Sequence, residues 1–355
     1  MKPFGIISDT HHHNWSSFAH TTPAGVNSRL DMILGETHRA ADAVFKAGGD
    51  TLVHAGDLFH VRGSVAPSVL NPTLATYKML VDAGLKIIIN AGNHDLEGKE
   101  ATDLGSAITA LKEVGCMVVN KPTLLPALNL ALVPYIGKVA DLKKVLEDLQ
   151  DEADAPNCNL IVHAGIDGVI KGLPDHGLDA EYLNKLKFVR TFAGHYHHHK
   201  KLAERVWSIG ALTHQTWSDI GSKAGFLVVN DKPVSDPENV KWFSSHAPSF
   251  IEIDGATKPE DIPLLVDGNY VRAKIFSSKP SEVEDLRKFL TDSGALGVTI
   301  ISQPKSGVTR TASTIKAGAS LEVSVTDYIN GSDFERKKEL AVMCDGLLKE
   351  AREAA

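Results

Sequence analysis

The sequence predicts an α/β protein whose sheet layers are covered by helices, followed by a small α/β unit and a helical tail. Three observations carry this expectation. Short apolar runs alternate with helical stripes through roughly the first 230 residues. Strand-like runs without intervening helices come next, and a βαβ-like unit then leads into an amphipathic stripe.

Taken in order, Phe4-Gly5-Ile6-Ile7-Ser8 is a short apolar run of the kind that forms a buried strand. From Leu30 the apolar positions fall at Ile33, Leu34, Thr37, Ala41 and Val44, a helical stripe stopped by Gly48-Gly49. A strand is predicted over 51–55, a helix over 67–83, a strand over 86–90 and a helix over 103–114. Strands follow at 130–133, 160–162 and 188–192, with a helix over 139–152. The runs at 207–209, 225–229 and 240–243 suggest an antiparallel continuation of the sheet.

Beyond a turn-rich link at 244–249, strands at 250–253, 270–276 and 297–301 enclose a helix over 281–293. The polar stretch 303–320 reads as a mobile linker, although its Lys305, Arg310 and Lys316 are of a type that tracks a phosphate backbone. A closing helix from about residue 333 carries Leu340, Met343 and Leu347 on one stripe, either to pack at home or to dock a partner. The resulting division is 1–246, 247–320 and 321–355.

The chain has 355 residues, 43% hydrophobic and 23% charged, and its formal charge is 37 − 44 = −7. No global basic field therefore advertises a nucleic-acid coat, which still leaves room for an enzyme that grips DNA locally. Cys116, Cys158 and Cys344 are scattered, with no CxxC pair, which argues against a disulfide framework or a thiolate metal site. The apolar run after Met1-Lys2-Pro3 is too short for a signal peptide, and no membrane-length apolar run follows, so a cytoplasmic protein is expected.

The chemistry sits at the strand ends, where active sites of α/β sheets lie. The first predicted strand runs into Asp9-Thr10-His11, the second into Gly56-Asp57 and the third into Gly92-Asn93-His94-Asp95. Later runs end at His163 and at Gly194-His195-Tyr196-His197. Asp-x-His and His-x-His put two side chains on the same side of an extended segment. Carboxylate, amide and imidazole donors without thiolate suit manganese, iron or zinc. Asp57, alone on its strand end, is the natural bridge between two ions, and such a pair supports in-line displacement at phosphorus. His94, between a ligand candidate and the carboxylate of Asp95 as its orienting partner, is placed to protonate a leaving oxygen. His54 reads as a core residue, and His12, His13, His198 and His199 as solvated or supporting neighbours.

These motifs, in this order over about 190 residues, resemble those of the calcineurin-like metallophosphoesterases. The resemblance implies a layered αββα sandwich with dimanganese as the usual working state. It implies one ion held by Asp9, His11, Asp57 and His197, and a second held by Asp57, Asn93, His163 and His195, with His94 as the catalytic histidine. Gly56-Asp57-Leu58-Phe59-His60 is similar to the run typical of DNA double-strand-break-repair nucleases of the SbcD type. In that branch His60 matches a second histidine acting on the scissile phosphate, a small α/β unit caps the core, and a helical tail docks on an ATPase coiled coil.

The resemblance thus implies a manganese-dependent DNA exonuclease, with endonuclease action as a further expectation, working as the catalytic subunit beside an SbcC-type ATPase. A homodimer is expected by analogy, through the regions 14–28 and 61–77. Two other readings stand beside it: a dimetal phosphodiesterase or phosphatase for a small nucleotide or phosphoprotein, and a scaffold that binds DNA ends.

Overall fold

A computed structural model describes residues 2–98, 102, 104–276, 279–302, 321–331 and 336–353. The 303–320 stretch, expected as a linker, lies outside the described residues. The chain forms β1 (Phe4–Ile7), α1 (Ser28–Lys46), β2 (Thr51–His54), α2 (Pro67–Asp82), β3 (Lys86–Asn90) and β4 (Met117–Val119). It continues through β5 (Thr123–Leu125), β6 (Leu130–Val133), α3 (Val139–Gln150), β7 (Asn159–His163), α4 (Ala180–Lys185) and β8 (Arg190–Gly194). Then come β9 (Lys200–Ala203), β10 (Val206–Ser208), β11 (Gly225–Val229) and β12 (Val240–Ser244). The last elements are β13 (Phe250–Ile253), α5 (Ile262–Val266), β14 (Tyr270–Ile275), α6 (Pro280–Asp292), β15 (Gly297–Ser302), α7 (Leu321–Gly331) and α8 (Lys337–Glu353).

Two six-stranded sheets form the body, ordered β12-β11-β1-β2-β3-β4 and β5-β6-β7-β8-β10-β9. In the first, β1 to β4 run parallel, while β11 and β12 are antiparallel additions beside β1. In the second, β6, β7, β8 and β10 are parallel, and β5 and β9 close the edges antiparallel. The strand at Val206–Ser208 is thus a correction to the expected antiparallel continuation: it joins the second sheet, parallel to β8. Only β11 and β12 continue the first sheet as expected.

Strand periodicity makes the layers. On β1, Phe4 and Ile6 point to the inner face while Ile7 joins the outer core. The inner core gathers Phe4, Ile6, Val53 and Ile88 from the first sheet with Leu132, Ile161, Phe192 and Trp207 from the second. The outer face of the first sheet packs under α1 and α2 through Leu30, Leu34, Val44, Tyr77 and Leu80. The outer face of the second packs under α3 and α4 through Leu142, Leu146 and Leu183. Helix, sheet, sheet and helix are therefore stacked in that order. Truncating one of these buried aliphatic side chains to alanine costs about 2–5 kcal/mol.

Local signals explain most boundaries. Asn27 caps α1 by accepting from Arg29 N at 3.1 Å and Leu30 N at 3.2 Å. The helix expected over 103–114 is instead a 3-10 helix at Ala107–Val114. Its start is pre-empted because Glu97 N donates to Gly105 O at 2.8 Å and Ala107 N donates to Asp95 O at 2.8 Å. Those bonds tie this connection to the loop after β3.

A third sheet, ordered β13-β14-β15, has its own small core of Ile253, Val266, Val271, Ala273 and Leu290. By compactness the chain divides into Met1–Ile275 with Ser281–Ile301, and Phe276–Pro280 with Ser302–Ala355. In the second unit α7, which the sequence reading did not separate from the tail, packs on α8. Val342, Met343 and Leu347 of α8 are exposed, and Leu340 is half-buried. Among the described residues no helix is long and apolar enough to cross a membrane.

Candidate metal centre

The parallel strands of the two sheets bring their carboxyl ends to one edge of the sandwich, and the polar residues predicted from the sequence gather there. From the first sheet come Asp9 and His11 after β1, Asp57 and His60 after β2, and Asn93, His94 and Asp95 after β3. The second sheet contributes His163, the last residue of β7, and His195 and His197 after β8.

The turns that present these side chains are strained. Asp9, His11, Asp57 and His195 have φ of 50°, 46°, 57° and 102°, a region that costs a residue with a Cβ about 1–2 kcal/mol. Hydrogen bonds between neighbouring loops hold them there. Asp9 N donates to Gly56 O at 3.0 Å, His11 N to Asp57 O at 3.1 Å and His12 N to Leu58 O at 2.7 Å. The carboxylates tie further loops together. Asp9 accepts from His195 N at 3.1 and 3.0 Å, and Asp57 Oδ1 accepts from His94 N at 2.7 Å. Glycine is required where these turns touch: a Cβ on Gly56 would collide with the His163 ring, and one on Gly92 with Asp57.

Three groups of donors result among the described residues: His11, His60 and His94 towards the outside, and two more deeply buried clusters. Asp9, His11 and His197 each offer a donor atom within 4.8 Å of the others, and so do Asp57, His163 and His195. Asp57 lies between them, with Oδ2 at 3.4 Å from His163 Nε2 and 3.9 Å from His11 Nε2. Asn93 Oδ1 joins the second cluster, 2.9 Å from His195 Nδ1 and 3.3 Å from His163 Nε2. His11 Nε2 and His197 Nε2 face each other at 3.1 Å.

Asp9 and His163 are fully buried, and Asp57, His11 and Asn93 nearly so. Burial of so many polar groups is costly unless something pairs with them. The electrostatics show the tension. Burial raises the carboxyl of Asp9, against the pull of His163 and His197. Burial alone would lower His163, but Asp57 and Asp9 hold it up at about 9. His195 is pushed down to about 4 by burial and by His163. Imidazole, carboxylate and amide donors converging from several sides fit two divalent cations, one per cluster, with Asp57 shared.

His94 and His60 stand at the mouth, both half-buried. Their rings stack at 5.7 Å and 14°, and His94 lies edge-on to His11 at 4.8 Å. His94 Nδ1 donates to His60 O at 2.6 Å, which leaves Nε2 as its free nitrogen. This corrects the expectation that Asp95 orients the His94 ring. Asp95 is fully buried, and its oxygens accept from Phe59 N and Gly92 N, each at 2.9 Å. It knots the two loops beneath the histidines, while a backbone carbonyl does the orienting.

The neighbouring histidines divide. His54 is a core residue as expected, its Nε2 2.9 Å from Thr10 Oγ1. His12 is buried, 3.0 Å from Thr73 Oγ1, so it is not a solvated neighbour. His13 packs on Trp15, and His199 stacks on Trp242. Reading the sequence missed four contributors. Tyr135 stacks on His195 at 6.2 Å, Trp15 packs on His60 at 4.6 Å, and Gln215 and Asp219 back the loops of Asp9 and His197. Only Asp219 left a usable signal, the Thr216-Trp217-Ser218-Asp219 capping pattern, which forms a capping box around a short 3-10 helix.

The sequence pattern of one protein family, described as calcineurin-like phosphoesterase (Metallophos), matches residues 2–199. Exonuclease subunit 1 of Enterobacteria phage T4 is similar, at 26% identity over 205 residues, which are 56% of this chain and 58% of that protein. The match thus spans little more than half the length of that relative. Two solved structures are loosely similar. One is the nuclease MPE of Pseudomonas putida, with 18% identity, a TM-score of 0.28, and coverage of 57% of this chain and 65% of that one. The other is a dimetal phosphatase from Danio rerio, with 11% identity, a TM-score of 0.41, and coverage of 68% and 98%.

Proposed function

We propose that this chain, which belongs to the calcineurin-like phosphoesterases, is a manganese-dependent DNA nuclease of the SbcD type, the catalytic subunit beside an SbcC-type coiled-coil ATPase. The observation that carries the reading is the pair of stacked imidazoles, His60 on His94, at the mouth of a buried floor of carboxylates and imidazoles. Ester hydrolysis expels one leaving oxygen and needs one acid, so the second ring is assigned to placing the phosphate, a task that grows when the phosphate carries a second ester arm. The similarity to an exonuclease subunit supports the same reading.

Asp9, His11, Asp57 and His197 would hold one ion, and Asp57, Asn93, His163 and His195 the other. Two bound divalent ions supply a nucleophile from water at neutral pH and offset the charge that develops at phosphorus. The protein supplies placement and proton transfer. His94, its Nδ1 committed to the carbonyl of His60, presents Nε2 to donate a proton to the departing sugar oxygen. His60, packed between Trp15 and His94, orients the phosphate or the strand end. Exonuclease action is proposed, with endonuclease action on single strands or hairpins. The exposed Met343 and Leu347 of α8 are offered as the surface that docks the ATPase. A homodimer and a cytoplasmic setting complete the proposal.

The test is release of mononucleotides from linear duplex DNA with manganese and with chelator. Manganese-dependent release that falls by about 10²–10⁴-fold in His94→Ala is the expected result. Hydrolysis of an aryl phosphodiester without release from DNA would leave the phosphoesterase and remove the nuclease. The net charge of −7 favours that second reading, a phosphodiesterase or phosphatase for a small nucleotide or a phosphoprotein. Turnover of a cyclic nucleotide or a phosphopeptide above that of DNA would establish it.

A further inference from the structure

We infer that Asp219 is a positioning residue for the Asp9, His11 and His197 cluster, fixing the tautomer of His197, and that segment 213–219 buttresses that cluster. The inference rests on reading the cluster as a cation site.

Asp219 is 2% exposed. Its Oδ1 accepts from His197 Nδ1 at 2.8 Å, and its Oδ2 accepts from Gln215 N at 2.7 Å and Thr216 N at 2.9 Å. An ionised carboxylate only accepts, so Nδ1 of His197 carries a proton, and in the neutral ring Nε2 keeps its lone pair. Nε2 is the nitrogen that faces His11 across 3.1 Å, inside the cluster. Gln215 supports the other two members. Its Nε2 donates to Thr10 O at 3.2 Å and Asp9 O at 3.5 Å, behind the left-handed turn that presents Asp9 and His11.

The segment is itself fixed. The buried guanidinium of Arg29 donates to Gln215 O at 2.6 Å and His214 O at 3.3 Å, and it lies 4.7 Å from the Trp15 ring. The second cluster depends on no such side chain for His163, whose Nδ1 donates to the main-chain carbonyl of Ala55 at 2.9 Å.

The decisive variant is Asp219→Asn, which keeps the shape and the cap. Its one oxygen is drawn to the two backbone N–H groups, and its NH₂ then faces His197. Because NH₂ cannot accept, the ring must move its proton to Nε2, so that the lone pair leaves the cluster. Two measurements on the full chain follow. In chelator, at a pH alkaline enough to leave the His197 ring neutral, ¹⁵N NMR of histidine-labelled protein should show His197 change from the Nδ1–H to the Nε2–H tautomer. In calorimetry with manganese(II), one ion should weaken by about 10- to 100-fold while the other is unchanged.

Gln215→Ala, which leaves Asp219 in place, is the second variant should the first fold poorly, and it should weaken the same ion by less. Wild-type protein that binds two ions, with unchanged binding and an unchanged tautomer in Asp219→Asn, would overturn this inference alone; unchanged binding in Gln215→Ala would overturn the buttress. Wild-type protein that binds no ion would overturn the cation reading and this inference with it.

Discussion

The two halves of the centre are supported by different materials. Around Asp57 and His163 the main chain does the holding: Ala55 O takes the His163 ring, and His94 N takes the Asp57 carboxylate. Around Asp9, His11 and His197 the main chain of His195 holds the Asp9 carboxylate in the same way, but side chains are added to it: Asp219 fixes the ring, and Gln215 backs the turn. Main-chain support survives almost any substitution that preserves the fold. Side-chain support is lost with a single residue, so under the proposed cation reading the two halves should differ sharply in how mutations propagate to them.

The strongest way to break that contrast is Asp57→Asn, because Asp57 lies between both halves. Under the proposed reading both ions should be lost, and turnover should fall by about 10³-fold or more. Metal content after gel filtration and initial rates check this; retention of one ion would show that the halves are independent. Next in size are His197→Ala and His163→Ala, each expected to weaken one ion by at least about 100-fold. Two-site calorimetry decides whether the loss stays local. If it does, the halves are separable despite their shared carboxylate.

A smaller effect concerns protons. Burial pulls His163 down, yet Asp57 and Asp9 hold it at about 9, so at pH 7 the ion-free ring is charged. A cation needs the neutral ring, so binding at this half should release about one proton and tighten as pH rises toward 9. Calorimetry in buffers of different ionisation enthalpy reads the release; none would show that the ion-free ring is already neutral or that His163 is not a ligand. The smallest effect on the centre is expected from Met343→Glu with Leu347→Glu. Both are exposed on α8, so ion binding should not change and stability should move by no more than about 0.5 kcal/mol. Loss of capture of an SbcC-type ATPase in these variants would support the proposed docking face, and retained capture would remove it.

The same contrast accounts for what was legible in the sequence. Asp9, His11, Asp57, Asn93, His163, His195 and His197 were all visible, because each follows or ends an apolar run that reads as a strand. The layers were legible because strand-like runs alternate with helical stripes, whereas the facing of each strand residue, Phe4 and Ile6 inward and Ile7 outward, came only with the structure. The role of Asp219 was not visible, because its capping pattern announces a short 3-10 helix but not its pairing with His197, 22 residues earlier. The partner of His94 was misjudged because its neighbour in sequence, Asp95, bonds to the backbone of the loop after β2. The 3-10 segment at Ala107–Val114 and the parallel placement of β10 depend on pairings with distant backbone, which periodicity does not encode.

The apolar filling between the two sheets has one more role. Ile161, Phe192 and Trp207 on one side and Ile6, Val53 and Ile88 on the other set the gap between the layers, and packed sheets sit about 10 Å apart. His163 reaches Asp57 across that gap, to 3.4 Å. The inner core is therefore a gauge block for the chemistry at its rim. A displacement of about 1 Å can cost a reaction about 100-fold, so the packing of this layer bears on the geometry of the rim as well as on the stability of the fold.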